Sequence, residues 1–333
     1  MVVLVSGGAG YIGAHAVRAL QSAGHTPIIL DNFSTGHREF TAGFVCVEAD
    51  VGDTQAVTAA VKKYGVEAAM HFASFINVSD SVHDPRSYYD NNVASGIRFI
   101  SALSAAGVKK FILSSTCAVY GVLQDIRPLT ENDAINPINP YASCKRMLEV
   151  VLTDYAAAYG FSSVLFRYFN ASGAQADQGI GEWHEPETHL IPNILRAAMS
   201  KGKAPLKIFG NDYPTGRTDG TAVRDYIHVS DLARAHVAGM DYLREREGCF
   251  TFNLGTGNGA SVLEVLQSAE KALGLRIDYE MHPRRAGDAP FLVADSSLAH
   301  KELGWRAQQS DLESIVKSAA VWEEKLATLR NRH

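Results

Sequence analysis

The chain has 333 residues, 46% apolar and 20% charged, which is enough to bury one large core or two medium ones. A formal net charge of -5 leaves no basic footprint for nucleic acid or an anionic membrane, and no apolar run is long enough to span a bilayer. Cys46, Cys117, Cys144 and Cys249 stand far apart with no Cys-x-x-Cys, and the N-terminus lacks a basic start, so neither a disulfide framework nor a secretory leader is expected and the setting reads as cytoplasmic.

Val2-Val3-Leu4-Val5 is a β-branched run and reads as a buried strand. It enters a turn carrying Gly7, Gly10 and Gly13, with Tyr11 and Ile12 between the last two, and then the helical pattern Ala16, Val17, Leu20. Strand, glycine turn, helix is the context a dinucleotide loop requires. Glycines let the backbone approach a pyrophosphate, and the helix N-terminus offers free N–H groups and a positive dipole end. The spacing is Gly-x-x-Gly-x-x-Gly rather than Gly-x-Gly-x-x-Gly.

Residues 26–30 read as a second strand ending in Asp31-Asn32. A carboxylate there accepts hydrogen bonds from ribose hydroxyls and repels a 2′-phosphate; no arginine follows immediately, so NAD is expected over NADP. Residues 44–50 form a third strand whose end, Asp50 and Val51, suits the adenine side of a pocket. Residues 68–74 form a fourth, and His71 inside that apolar run is expected to be a core histidine. A long helix is expected over 85–106, with Val93, Ile97, Ile100 and Leu103 on one side. Asn91-Asn92 near its middle are poor helix formers and suggest a functional or packing role.

Residues 110–116 form a fifth strand ending in Ser114, Ser115 and Thr116. Ligands of an open parallel sheet bind beyond the carboxyl ends of its strands, which puts Thr116 in reach of a substrate or of Tyr141. Asn139-Pro140 starts a helix on which Tyr141 and Lys145, four apart, share a face. An ammonium beside a phenol favours the phenolate, a base able to trade a proton with a substrate hydroxyl. Alternating strands and helices argue a doubly wound parallel sheet.

The second half is less legible. A helix is expected over 191–198 and a strand over 206–210. The stretch Trp183-His184-Glu185-Pro186-Glu187-Thr188-His189 is not the zinc motif His-Glu-x-x-His, because the spacing is longer and Pro186 breaks the helix that motif needs; no metal site is expected.

The order of glycine loop, strand-end Asp31, hydroxyl-bearing strand end and Tyr-x-x-x-Lys resembles the extended short-chain dehydrogenase/reductase family. Further matching runs are Tyr89 to Val93, Val119-Tyr120-Gly121, Arg167 to Asn170, Val223 to Val229 and Arg284 to Asp288, and they are similar to those of its UDP-glucose 4-epimerase branch over nearly the whole chain. The resemblance implies an α/β fold: a Rossmann-type doubly wound sheet over residues 1–170, with a segment around 222–247 returning to it, and a smaller α/β substrate-binding domain over 171–333. It implies NAD held by Gly7, Gly10, Tyr11, Ile12, Gly13, Asp31, Asn32, Asp50, Val51, Phe72, Ala73, Ser74, Asn91, Ser114, Tyr141, Lys145 and Tyr168. It implies a UDP-sugar held by Thr116, Asn170, His189, Leu190, Phe209, Arg224, Tyr226, Arg285, Asp288 and Leu292, with the two arginines on the diphosphate. It also implies a homodimer joined through two helices of each subunit.

The implied reaction is C4 epimerisation of UDP-hexoses. Hydride leaves C4 for NAD while Tyr141, aligned by Thr116, takes the hydroxyl proton, and Lys145 and the positive nicotinamide hold the Tyr141 pKa down. The 4-keto sugar turns over and takes the hydride back on its other face. Alternatives are an epimerase of UDP-N-acetylhexosamines or UDP-pentoses, or a nucleotide-sugar dehydratase, which would need an acid where Cys117-Ala118 stand. The chain departs from the family pattern at Thr116 for serine, Ile76 for lysine and His189 for asparagine.

Overall fold

The computed structural model describes residues 1–122, 125–200, 202–284 and 289–330, so the expected contacts Arg285 and Asp288 lie outside the described residues. Its strands are β1 (Val2–Ser6), β2 (Thr26–Asp31), β3 (Val45–Glu48), β4 (Ala68–His71), β5 (Lys110–Ser114), β6 (Ser162–Tyr168), β7 (Asn170–Ser172), β8 (Leu206–Phe209), β9 (Val223–His228), β10 (Cys249–Leu254), β11 (Gly259–Ser261), β12 (Tyr279–His282) and β13 (Phe291–Leu292). Seven of them form one sheet in the order β10-β6-β5-β4-β1-β2-β3, every neighbouring pair parallel. The order reverses at β1, between β2 and β4, so the crevice where such sheets bind ligands opens just past Ser6.

Strand periodicity sorts β1 between two cores. Val3 and Val5 face one core with Ala16 and Leu20 of helix Tyr11–Ser22 and Leu232 and Met240 of helix Val229–Glu245. Leu4 faces the other, with Val57 of helix Thr54–Tyr64, Phe99 of Gly96–Ala105 and Leu148 and Leu152 of Pro140–Tyr159. Helices on both faces explain why β1 reads as a continuous apolar run rather than an alternating one.

A second lobe holds β9 flanked by β11 and β13, with β7 also pairing β9, and a two-stranded β12-β8 sheet. Helices Leu190–Met199, Val262–Leu273 and Leu312–Arg330 cover it around Ile194, Tyr226, Val265 and Val316. The returning segment differs from the expected 222–247. Strand β9 stays in the smaller sheet, while helix Val229–Glu245 and β10 join the large one, so the return spans residues 229–254. The crossover helix needs a strand to deliver, and β10 is that strand.

The long helix over 85–106 is broken in the middle. Pro85–Tyr88 and Gly96–Ala105 are α-helical, and Tyr89–Ser95 is a π-helical turn. Asn92 sits there, its Oδ1 accepting from Phe75 N at 2.8 Å and its Nδ2 donating to Phe75 O at 2.9 Å. The suspected packing role of the asparagines is thereby specific: Asn92 pins the loop that follows β4. His71 is a core residue, its Nδ1 2.7 Å from Ser6 Oγ and its pKa lowered by burial to about 3. No helix among the described residues is long and apolar enough to cross a membrane.

Candidate active site

The glycine loop is held by two close approaches. Gly7 has φ +71°, and a Cβ there would stand 2.5 Å from Ala73 N; a Cβ on Gly13 would collide with the Gly7 carbonyl. Helix Tyr11–Ser22 therefore begins flush against the exits of β1 and β4. No side chain caps it at Gly10, which leaves its first N–H groups to a ligand. At the end of β2, Asp31 accepts from Ala9 N and Phe33 N, both at 2.9 Å. Burial raises its carboxyl and these two donors pull it back. Arg38, the first arginine after Asp31, is committed elsewhere: it forks onto Glu48 at 2.9 and 2.6 Å and lies 4.1 Å from the Phe33 ring centroid.

A cavity of about 890 Å³ runs along these strand ends. All the residues expected at the cofactor line it, from Gly7, Asp31 and Asp50 through Ala73 and Asn91 to Ser114, Lys145 and Tyr168. The uncapped helix start, the space a Cβ would fill and the strand-end carboxylate fit a dinucleotide. Ile76 lines the same cavity and is 44% exposed, an apolar contact where the family pattern has lysine.

Thr116, Tyr141 and Lys145 line the same cavity, with Thr116 hydrogen-bonded to Tyr141. Asn139 caps helix Pro140–Tyr159 by accepting from Ala142 N at 2.9 Å, and Pro140 fills the first turn. One turn on, Lys145 Nζ donates to Ser114 O at 2.9 Å and lies 5.9 Å from the Tyr141 ring centroid. From sequence, Lys145 and a bound nicotinamide are expected to hold the Tyr141 pKa down together; in the chain alone, burial dominates. Burial pushes the phenol well above its ordinary value, Tyr168 adds to the rise, and the Thr116 hydrogen bond opposes it. One N–H of the ammonium is held by the Ser114 carbonyl, and burial lowers the Lys145 pKa to about 8.

Beneath the trio lies a network whose role the sequence did not reveal. Glu149, four residues after Lys145, is fully buried and pairs with Arg167 at 2.7 Å; it also accepts from Ser115 Oγ at 2.6 Å. Arg167 donates to Tyr120 OH at 3.1 Å, and that hydroxyl donates to Asn253 at 2.7 Å. The network ties the catalytic helix to the ends of β5, β6 and β10. The lone signal was an acid at helical spacing on an apolar face.

On the substrate side, Asn170 and His189 line the cavity, whereas Leu190, Phe209, Arg224, Tyr226 and Leu292 do not. Arg224 and Leu292 are register partners on β9 and β13, and Tyr226 partners Asn170 across β9 and β7. The Cys117 thiol is pushed up to about 12 by burial, with the Arg224 charge the main opposing effect, so that guanidinium stands near the turn after Thr116. Leu292 packs against the cluster of Cys117, Val119 and Phe169. Leu190 opens helix Leu190–Met199, and the Phe209 ring lies 5.4 Å from His282.

His189 carries more than a ligand contact. Its Nδ1 is 2.9 Å from Glu182 Oε1 and 3.0 Å from Glu187 Oε1, and His184 joins them. Burial would lower both imidazoles, but Glu182 and Glu187 raise His184 to about 8 and His189 to about 10. Next to this cluster, Trp183 stacks on His37 at 3.9 Å and accepts from its Nε2, closing the rim between the two lobes.

Comparison with known proteins agrees with this geometry. Residues 3–255 match the model of the NAD dependent epimerase/dehydratase family. The UDP-glucose 4-epimerase of Rhizobium meliloti is 45% identical over 97% of each chain. The crystal structure of UDP-glucose 4-epimerase from Brucella ovis in complex with NAD is 44% identical, with a TM-score of 0.91 over 96% of this chain and 97% of that one. UDP-glucose-4-epimerase from Stenotrophomonas maltophila, with bound NAD and formylated UDP-arabinopyranose, is 37% identical, with a TM-score of 0.94 over 99% of each. A nucleotide-shaped crevice at the switch point, a Tyr-x-x-x-Lys helix and a family match across both make one conclusion: the chain belongs to the NAD dependent epimerase/dehydratase family.

Proposed function

We propose that this chain is a UDP-glucose 4-epimerase, interconverting UDP-glucose and UDP-galactose with NAD as a resident cofactor. The observation that carries the reading is the meeting of Thr116, Tyr141 and Lys145 in the cavity that also holds the glycine loop and Asp31. When bound, NAD supplies a hydride acceptor and a positive charge beside the phenol. The chain supplies the rest. Thr116 aligns the C4 hydroxyl with Tyr141, whose oxygen takes the proton, and Lys145 is the adjoining donor fixed on Ser114. Burial raises the phenol in the chain alone, and the positive charge of bound NAD would act the other way, since a nearby cation favours the phenolate. A dehydratase is disfavoured because the turn after Thr116 begins with buried Cys117 and Ala118 instead of an acid.

Residues 1–170 with the return at 229–254 form the NAD-binding unit in this reading, and the remainder receives the UDP-sugar. Arg224 beside the turn after Thr116 is the diphosphate clamp, joined by Arg285. Asp31, with Arg38 already held by Glu48, favours NAD over NADP. Two copies pair through helices Gly96–Ala105 and Pro140–Tyr159, where Met147 and Val150 are exposed. Four free cysteines fit the cytoplasm.

The test is incubation with UDP-galactose and no added NAD, followed by separation of the UDP-sugars and identification of the nucleotide released on denaturation. UDP-glucose and NAD are expected. An unchanged UDP-galactose peak, or release of mainly NADP, would refute the reading.

A further inference from the structure

Among the described residues, a cluster of titratable side chains outside the Tyr141 trio sits on the loop that carries the rim of the cavity. Glu182, His184, Glu187 and His189 offer four donor atoms that all lie within 4.8 Å of one another. We propose that this loop is a metal site, taking one divalent cation of the zinc class through Nδ1 of His184, Nδ1 of His189 and one oxygen each of Glu182 and Glu187.

Spacing is the first argument. Bonds of about 2.0–2.1 Å in a tetrahedral zinc site place neighbouring donors roughly 3.4 Å apart. The distances here bracket that value: 2.9 and 3.0 Å from His189 Nδ1 to Glu182 Oε1 and Glu187 Oε1, and 3.3 and 3.8 Å from His184 Nδ1 to Glu182 Oε1 and Glu187 Oε2. Hydrogen bonding is the second. His184 Nδ1 and Glu187 Oε2 are both buried, and neither has a hydrogen-bond partner, although an opposite group stands close by. His189 Nδ1 is hydrogen-bonded to Glu187 Oε1 at 3.0 Å, but His184 Nδ1 and Glu187 Oε2 are left unsatisfied, and an ion between them would satisfy both.

Charge is the third argument. Two buried carboxylates need two compensating charges. The nearby arginines are turned to other acids: Arg330 Nη2 is 2.8 Å from Glu185 Oε1, and Arg196 Nε is 3.6 Å from Glu323 Oε1. Without an ion, the pair is balanced by His184 and His189 in their charged forms; a dication takes over that charge with both imidazoles neutral. Two nitrogens and two oxygens suit zinc better than magnesium or calcium, which take oxygen ligands.

The loop is also built to hold the donors still. Thr188 N and His189 N both donate to Glu187 Oε1 at 2.8 Å, and Trp322 Nε1 donates to Glu182 O at 2.7 Å. The sequence argument against a metal was that Pro186 forbids a helical His-Glu-x-x-His. That argument does not reach a loop, where Glu-x-His-x-x-Glu-x-His turns all four side chains inward. All four donors come from the protein, so the site is a structural clip for the rim, with no open position for chemistry. Coordination through Nδ1 also leaves His189 Nε2 as an N–H donor.

The experiment uses the whole chain, stripped with chelator, dialysed and titrated with ZnCl2. Calorimetry and elemental analysis should give one Zn2+ per chain and a raised Tm. Glu187→Gln and His184→Ala should each weaken Zn2+ binding more than about tenfold, a loss seen even for residues one step removed from a metal, with circular dichroism unchanged. Co2+ added to the stripped wild-type chain should give the intense visible absorption of a four-coordinate site, a readout that does not depend on the variants folding. Less than one equivalent of Zn2+, uptake unaltered by both substitutions, or a weak six-coordinate Co2+ spectrum would each overturn the proposal.

Discussion

Tyr141→Phe removes one oxygen and leaves the packing of the ring alone. The expected result is a loss of about 10²–10⁴-fold in epimerisation, the usual contribution of a general acid–base group, with fold and released NAD as in the wild type. Thr116→Ser keeps the hydroxyl and should cost little, whereas Thr116→Ala should cost more; a time course of UDP-sugar separation ranks the three. At Leu292 the question is sugar range. It is half-buried beside Val119 and Phe169 and in register with Arg224, close to the catalytic turn. Wild type is expected to turn over UDP-N-acetylglucosamine, with the acetamido group paired, since a buried unpaired amide costs about 1–3 kcal/mol. Leu292→Tyr should lower kcat/KM for that substrate and spare UDP-glucose. Equal effects on both would remove Leu292 as the gate.

Helix Pro140–Tyr159 depends on one side chain for its start. Asn139→Ala should lower stability by about 1 kcal/mol, the worth of an N-cap, and should lower activity further because Tyr141 sits in the same turn. Denaturant melts and turnover on the same samples separate the two effects. Ahead of that helix, Asp133 is held well below the usual carboxylate range, chiefly by its fork with Arg127, and also accepts from Thr130 N at 2.7 Å. A depressed carboxyl stabilises the fold above its unfolded pKa of about 4 and loses that contribution as pH falls. The Tm gap between wild type and Asp133→Asn should therefore be present at pH 7 and close in acid; a gap that widens in acid would reverse the sign of the coupling. Elements with local signals were legible in the sequence: β1 from its β-branched run, the helix start from Asn139-Pro140, the strand-end site from Asp31 and Thr116. The π-helical turn at Tyr89–Ser95 was not, because Asn92 within it bonds across to Phe75, a tertiary contact that local sequence does not carry. Nor was the Glu182 cluster, since an irregular loop has no period to read. Tyr141 was found by spacing, but the rise in its pKa comes from burial, which spacing does not carry.

At the scale of the whole molecule, the proposed dimer rests on exposed apolar residues of helix Pro140–Tyr159. Met147 and Val150 are 43% and 42% exposed, three residues apart on one face of helix Pro140–Tyr159. The chain is expected to sediment as a dimer, and Val150→Asp is expected to shift it toward monomer; a monomeric wild type would end that reading. The order of strands in the large sheet has a different consequence. β10 covers the outer edge of β6, yet the chain reaches it only after passing through β7, β8 and β9 of the second lobe. During synthesis the first six strands emerge with that edge open, a row of unpaired backbone groups able to template pairing with another nascent chain. The two lobes are thus stitched in time as well as in space: the cofactor half cannot be finished, or cut out as a freestanding piece, until the ribosome has passed Leu254.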